Sequence, residues 1–225
     1  MILPVGDLGK TRKFAWINWM LIAANCVIFG TYALDPERRD ALFKIYAMVP
    51  DQWTWKRVFT SMFLHGDIVH LLGNMLFLYI AGDNVEDRLG HLGYLVFYLL
   101  AGVVGGMTHM VYATHFGSGG SIPTVGASGA IAGVMGAYLI LFPGTQIRFI
   151  IWLLIFVRSF TLPSWGVIGA WVVSQVLMAR NQWQGTADKE ASMVAVFAHV
   201  GGCVFGLVVG IGARIFSPPP KRKHD

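Results

Sequence analysis

From Leu89 to Ile147 this chain carries no aspartate, glutamate, lysine or arginine. Four shorter stretches share that property: Phe14 to Leu34, Ile68 to Gly82, Ser159 to Ala179 and Ala191 to Ala213. A soluble domain carries about 25% charged residues. Here the share is 13%, gathered in clusters between the runs, and 55% of residues are hydrophobic. An apolar helix of about 20 residues crosses a bilayer. The run from Leu89 to Ile147 is too long for one crossing, and its middle, His115 to Thr124, is polar and Gly-rich. It reads as two spans and a loop. The expectation is an all-α membrane protein with six transmembrane helices. Phe149 to Val157 is apolar but too short to cross as a helix, so it is expected at the interface before the fifth span.

Basic residues near span ends set orientation. Lys10, Arg12 and Lys13 precede the first span, Arg88, Arg148 and Arg158 mark the second and fourth connections, and Arg214, Lys221, Arg222 and Lys223 follow the sixth. All share one side if both termini are cytoplasmic. The loop from Asp35 to Asp67 opposes this with five basic residues of its own, mixed with acids. The expected division is a cytoplasmic N-terminal segment over 1–13, a six-span domain over 14–214 and a basic cytoplasmic tail over 215–225. The net charge of +5 then reflects topology and anionic lipid rather than nucleic-acid binding. Cys26 and Cys203 both lie in apolar runs and imply no disulfide framework. No cleavable signal is evident, and the first run reads as a retained span.

Three polar groups stand out against this apolar background. Ser128 lies in Gly126-Ala127-Ser128-Gly129, and His199 lies in the last run. No acidic residue lies in either stretch. With both termini inside, the second, fourth and sixth spans run in the same direction. His199 then sits about 12 Å below the outer end of its helix, at about 1.5 Å per residue. A short fourth helix beginning at Ser128 would start at similar depth, as would His70 on the second span. Ser128, Ala132 and Gly136 recur at helical spacing, as do His199, Gly202 and Gly206. Small residues let membrane helices approach closely.

A serine hydroxyl becomes nucleophilic when a base takes its proton, and a neutral imidazole can be that base. Without a carboxylate the sequence permits a Ser128–His199 dyad. Oxyanion donors could come from the helix start at Ser128 and from His70 and Asn74, which share one face at i, i+4. Each group also has a structural alternative: Ser128 as a helix-packing hydroxyl, His199 as a buried structural histidine, Asn74 as a tie between helices. His65 and His70 match no metal-site spacing. Glu86, Asp87 and Arg88 read as an ion-pair cluster at the inner end of the second span.

These residues resemble the rhomboid family of intramembrane serine proteases, over about Lys13 to Arg214. Gly126-Ala127-Ser128-Gly129 is similar to its GxSG motif, Ala198-His199 with Gly202 and Gly206 to its AHxxGxxxG motif, and His70 with Asn74 to its HxxxN motif. His65 matches a further family histidine, and Gly82, Glu86 and Gly90 resemble its GxxxExxxG pattern. The resemblance implies a six-span rhomboid-like bundle, with Ser128 as nucleophile and His199 as general base. His70, Asn74 and the Ser128 N–H would form the oxyanion hole. It implies cleavage of single-span or membrane-anchored proteins in or near their transmembrane segments, with membrane lipid as surroundings and no metal or cofactor.

Two departures stand out. The family's Trp-Arg in the first loop is here Trp55-Lys56-Arg57, and the position four residues after the serine, aromatic in some members, is Ala132. The sequence does not identify what orients His199 instead. Oligomeric state and natural substrate are likewise not encoded in any motif. The alternative function is an inactive rhomboid-like protein that binds membrane helices; retention of both Ser128 and His199 favours catalysis. A transporter would call for a buried acidic residue or inverted repeats. The compact chain suggests a prokaryotic plasma membrane.

Overall fold

The computed structural model describes residues 2–9, 11–117, 120–153, 156–186 and 194–216. The basic tail beyond 216, Lys10 and part of the loop after Arg180 lie outside the described residues. In chain order the elements are β1 (Ile2–Asp7), α1 (Trp16–Gly30), α2 (Pro36–Tyr46), a 3₁₀ turn (Pro50–Gln52), α3 (Trp55–Ser61), α4 (Ile68–Leu89), α5 (His91–His115), α6 (Ser128–Leu141), β2 (Gln146–Leu153), β3 (Phe156–Pro163), α7 (Ser164–Trp183) and α8 (Val196–Phe216). A helix stands at each of the six expected spans. By length and composition α4, α5 and α8 can each cross a membrane, while α1 and α6 are shorter apolar helices.

Local signals explain the helix limits. Asp67 caps α4 by accepting from the His70 N–H at 2.8 Å, and Gly90 ends it in a left-handed conformation at φ 75°. Pro143 follows α6 closely. Outward-facing positions are apolar, with Val69, Leu72, Leu92 and Val208 all exposed, whereas Asn18, Asn25, Asn74, Glu86 and Gln175 are buried. That inversion suits lipid surroundings. Lipid tails are as apolar as leucine, so such helices are held by close fit and by polar links between them.

Both devices are present. α6 is buried from Gly129 to Tyr138 and packs most extensively on α8. A Cβ on Gly202 would stand 2.0 Å from the Gly129 carbonyl oxygen, and one on Gly136 would stand 2.5 Å from that of Cys203. The α6 contact therefore runs through Gly129, Gly133 and Gly136 rather than through the expected stripe Ser128, Ala132 and Gly136. Only small residues on both faces permit this backbone contact.

Polar links gather the other end of the bundle. Glu86 accepts from the backbone N–H groups of Ile17 at 3.1 Å and Asn18 at 2.7 Å, supplying the start of α1 with acceptors. It also meets His91 Nδ1 at 2.5 Å. Arg88 donates to the Ala213 carbonyl at 2.9 Å, and Arg214 to that of Ile140 at 3.0 Å. The C-terminal ends of α4, α6 and α8 are thus side by side, and the three helices run parallel as expected. Arg12 reaches Asp87 at 3.5 Å, so the acid–base cluster is structural.

The all-α expectation is corrected by a three-stranded antiparallel sheet of order β1-β2-β3. Gln146 pairs with Pro163 and Leu153 with Phe156. The described residues of the apolar stretch 149–157 therefore lie in β2 and β3. Its isoleucines, valine and aromatics favour strands, and Phe149 stacks on Phe160 across the pair, centroids 5.2 Å apart. Residues expected to precede the bundle as a separate segment supply β1. Asp7 fastens that strand to the bundle by accepting from the Tyr138 hydroxyl and from Asn84 Nδ2. Burial pushes the Asp7 carboxyl above its usual range.

Candidate active site

Ser128 is the first residue of α6. The loop before it is pinned rather than free. Met48 and Thr124 exchange backbone hydrogen bonds of 3.1 and 2.7 Å, the Asp51 N–H donates to the Gly120 carbonyl at 2.9 Å, and the Gly126 N–H donates to the Ser61 carbonyl at 2.9 Å. The partner segment is itself braced by Arg57, which donates to the Lys44 carbonyl at 2.9 Å. This gives the displaced Trp55-Lys56-Arg57 a clear structural part: the arginine ties α3 to the end of α2.

His199 occupies the first turn of α8 and points at that helix start. Its Nε2 lies 2.8 Å from Ser128 Oγ. Its Nδ1 lies 2.7 Å from Oε1 of Gln175 on α7. The Trp171 ring, one turn earlier on α7, has its centroid 6.0 Å from that of His199. Ala132 is fully buried inside α6, and support for the imidazole comes from α7 instead. Gln175 and Trp171 were not singled out for this from the sequence. The signal was available: an isolated glutamine within the charge-free run Ser159 to Ala179 is costly in lipid unless it has a partner.

His70 and Asn74 line the same cavity as Ser128 and His199, a space of about 630 Å³ that also reaches Trp171 and Met135. A Cβ on Gly126 would stand 2.8 Å from His70 Nε2 and 3.7 Å from Ser128 Oγ, so the two side chains flank one small space. Gly126 also holds φ at +128°, which a side chain would strain. Asn74 is engaged by its neighbour: Nδ2 lies 2.9 Å from His65 Nε2. His65 is wholly buried. Its N–H donates to the Tyr32 hydroxyl at 2.8 Å, and that hydroxyl donates to the His65 carbonyl at 3.1 Å. Burial, reinforced by His70, lowers the His65 pKa to about 4. The four expected side chains therefore converge on one cavity, and His65 stands directly behind Asn74.

The family model described as Rhomboid domain matches residues 52–215. This chain belongs to the rhomboid family. It is 31% identical over 193 residues to "Rhomboid protein 1, mitochondrial" of Saccharomyces cerevisiae, covering 85% of this chain and 51% of that protein. It is 39% identical over 88 residues to "Rhomboid protease GluP" of Bacillus subtilis, 39% of this chain and 16% of that protein. Against "Presenilin-associated rhomboid-like protein, mitochondrial" of Homo sapiens the identity is 24% over 210 residues, 90% of this chain and 52% of that protein. This rhomboid thus spans about half the length of the yeast and human relatives, and less of the bacterial one. Its long apolar helices and family membership make it a membrane protein.

Proposed function

We propose that this rhomboid is an intramembrane serine endopeptidase that cleaves membrane-anchored proteins in or near their transmembrane segments. The observation that carries the reading is the 2.8 Å contact between Ser128 Oγ and His199 Nε2. At that distance His199 takes the hydroxyl proton as Oγ attacks the scissile carbonyl carbon. The carbonyl π electrons pass to its oxygen. When the tetrahedral intermediate collapses, the C–N bond breaks and His199 returns the proton to the leaving amine. Water, deprotonated by the same imidazole, then attacks the acyl carbon; the ester C–Oγ bond breaks, His199 returns the proton to Ser128 Oγ, and the fragment leaves as a carboxylic acid.

The oxyanion needs donors placed in advance. The first N–H groups of α6 have no carbonyl one turn earlier within the helix, and they face positive in its dipole. His70 and Asn74 complete the proposed set from α4. Asn74 Nδ2 donates one of its two N–H groups to His65 Nε2 at 2.9 Å, which orients the amide and leaves its second N–H to serve as a donor in the proposed set.

The six-helix arrangement over 14–214 is read as six crossings with both termini cytoplasmic. Contacts of Asp7 and Arg214 at the same end of the bundle support the shared side of the termini. Relatives named as mitochondrial stand beside a bacterial one, so the expectation of a prokaryotic plasma membrane is not carried forward.

The test is cleavage of a model single-span substrate by the purified chain in detergent, alongside Ser128→Ala and His199→Ala. Both variants will lose cleavage, and a serine-reactive fluorophosphonate will label only chains that keep Ser128. Cleavage that survives Ser128→Ala sinks the reading.

A further inference from the structure

We propose that Gln175 is a positioning residue of this site: its side-chain oxygen accepts the Nδ1 proton of His199 and so presents the Nε2 lone pair to Ser128. The inference rests on the reading of Ser128 and His199 as nucleophile and base.

The hydrogen-bond network determines which way each group faces. Ser174 Oγ lies 2.6 Å from the Trp171 carbonyl oxygen, which can only accept, so the serine hydrogen is committed there. Ser174 Oγ can then only accept from the neighbouring glutamine, whose Nε2 lies 3.2 Å away. With its NH₂ turned to Ser174, Gln175 turns its oxygen to His199, 2.7 Å from Nδ1. An amide oxygen has no hydrogen to give, so Nδ1 must carry one. A neutral imidazole protonated at Nδ1 has its lone pair on Nε2, the atom 2.8 Å from Ser128 Oγ. The chain of hydrogen bonds thus runs from a main-chain carbonyl of α7, which accepts, to the hydroxyl of Ser128.

Gln175 is one of the few buried residues of α7. It performs part of what a buried carboxylate performs in soluble serine hydrolases, which is to hold the imidazole in the useful tautomer. A neutral amide does so without placing a formal charge in the membrane, where charge is costly. It also places a required contact on α7, a helix separate from those that carry Ser128 and His199. The bland alternative is a polar tie that merely holds α7 to α8. The two differ in what they do to the imidazole.

Three variants separate them. Gln175→Met keeps length and loses the acceptor. Gln175→Glu keeps a carbonyl oxygen whether its carboxyl is charged or neutral. Ser128→Ala reports on the underlying reading. Gln175→Met will lower kcat by roughly 10- to 100-fold with little change in KM, within the factor that general-base catalysis supplies. Gln175→Glu will recover most of that loss. Nitrogen NMR of isotope-labelled histidine, with His199 assigned by its absence in His199→Asn, will show a protonated Nδ1 in the parent chain and a tautomer mixture in Gln175→Met.

The proposal is overturned if Gln175→Met keeps the parent kcat, if Gln175→Glu is no better than Gln175→Met, or if Nδ1 stays fully protonated in Gln175→Met. The NMR measurement needs no turnover. Failure of the protease reading, seen as cleavage that ignores Ser128→Ala, is therefore distinguishable from failure of the role of Gln175.

Discussion

Gly206 of α8 sits so close to Gly133 of α6 that a Cβ on Gly206 would stand 1.9 Å from the Gly133 carbonyl oxygen. The obstacle is main chain and cannot rotate away. Ser128 and His199 project from these same two helices, one or two turns nearer the cavity, so this contact sets the distance between them.

Gly206→Ala will therefore force α6 and α8 apart. Overpacking of this kind costs about 1–3 kcal/mol, and the Ser128–His199 contact will lengthen with the helices. Thermal unfolding in detergent will show a lower midpoint, and cleavage will fall by more than the folded fraction does. Gly169→Ala on α7 is the control, because a Cβ there meets nothing within 4 Å; it will be near neutral. An unchanged Gly206→Ala would contradict the packing described.

Gly126→Ala addresses the other wall of the site. Its φ of +128° disfavours any side chain, and the new Cβ would press on the His70 ring at 2.8 Å. The backbone strain of about 1–3 kcal/mol at such a position will remain, and the clash with the ring will be relieved by moving His70. Substrate cleavage will drop through kcat, while fluorophosphonate labelling of Ser128, which depends less on His70, will decline less. Equal loss in both assays would mean that the loop, and not His70, had moved.

His65 makes stability depend on pH. Its folded pKa, about 4, lies below the ordinary 6.5. The unfolded chain thus binds the proton more readily. The contribution of His65 is complete above about 6.5 and is lost progressively as pH falls towards 4. The structural reason is visible at both ring nitrogens: Nδ1 is buried with no hydrogen-bond partner among the described residues, and Nε2 faces the Asn74 amide nitrogen, itself a donor, so the second hydrogen of a charged ring would find no acceptor. Unfolding midpoints taken from about pH 7 down to about pH 4 will fall less steeply for His65→Asn than for the parent chain. Parallel slopes would refute the assignment.

Much of this was legible in the chain. Charge-free runs gave the places of α1 and of α4 to α8, because long apolar stretches free of charge suit helices in lipid. Small-residue spacing anticipated the α6–α8 contact but missed its register on α6 by one residue, since Ser128, Ala132 and Gly136 fit the same periodicity as Gly129 and Gly133. The sheet went unread. β2 and β3 are too short for a periodic signal to dominate, and the pairing of β2 with Ile2–Asp7 spans most of the chain. Asn74 was read for its face on α4, not for its contact with His65, which comes from the loop before that helix.

The sequence alone determined that Ser128 and His199 stand in apolar helices without an acid in either stretch, because composition and spacing are local properties. It could not determine what holds His199. That depended on how α7 turns against α8, which brings Gln175 to 2.7 Å from Nδ1. Such an angle is set by packing between helices distant in sequence, and no local pattern along the chain encodes it.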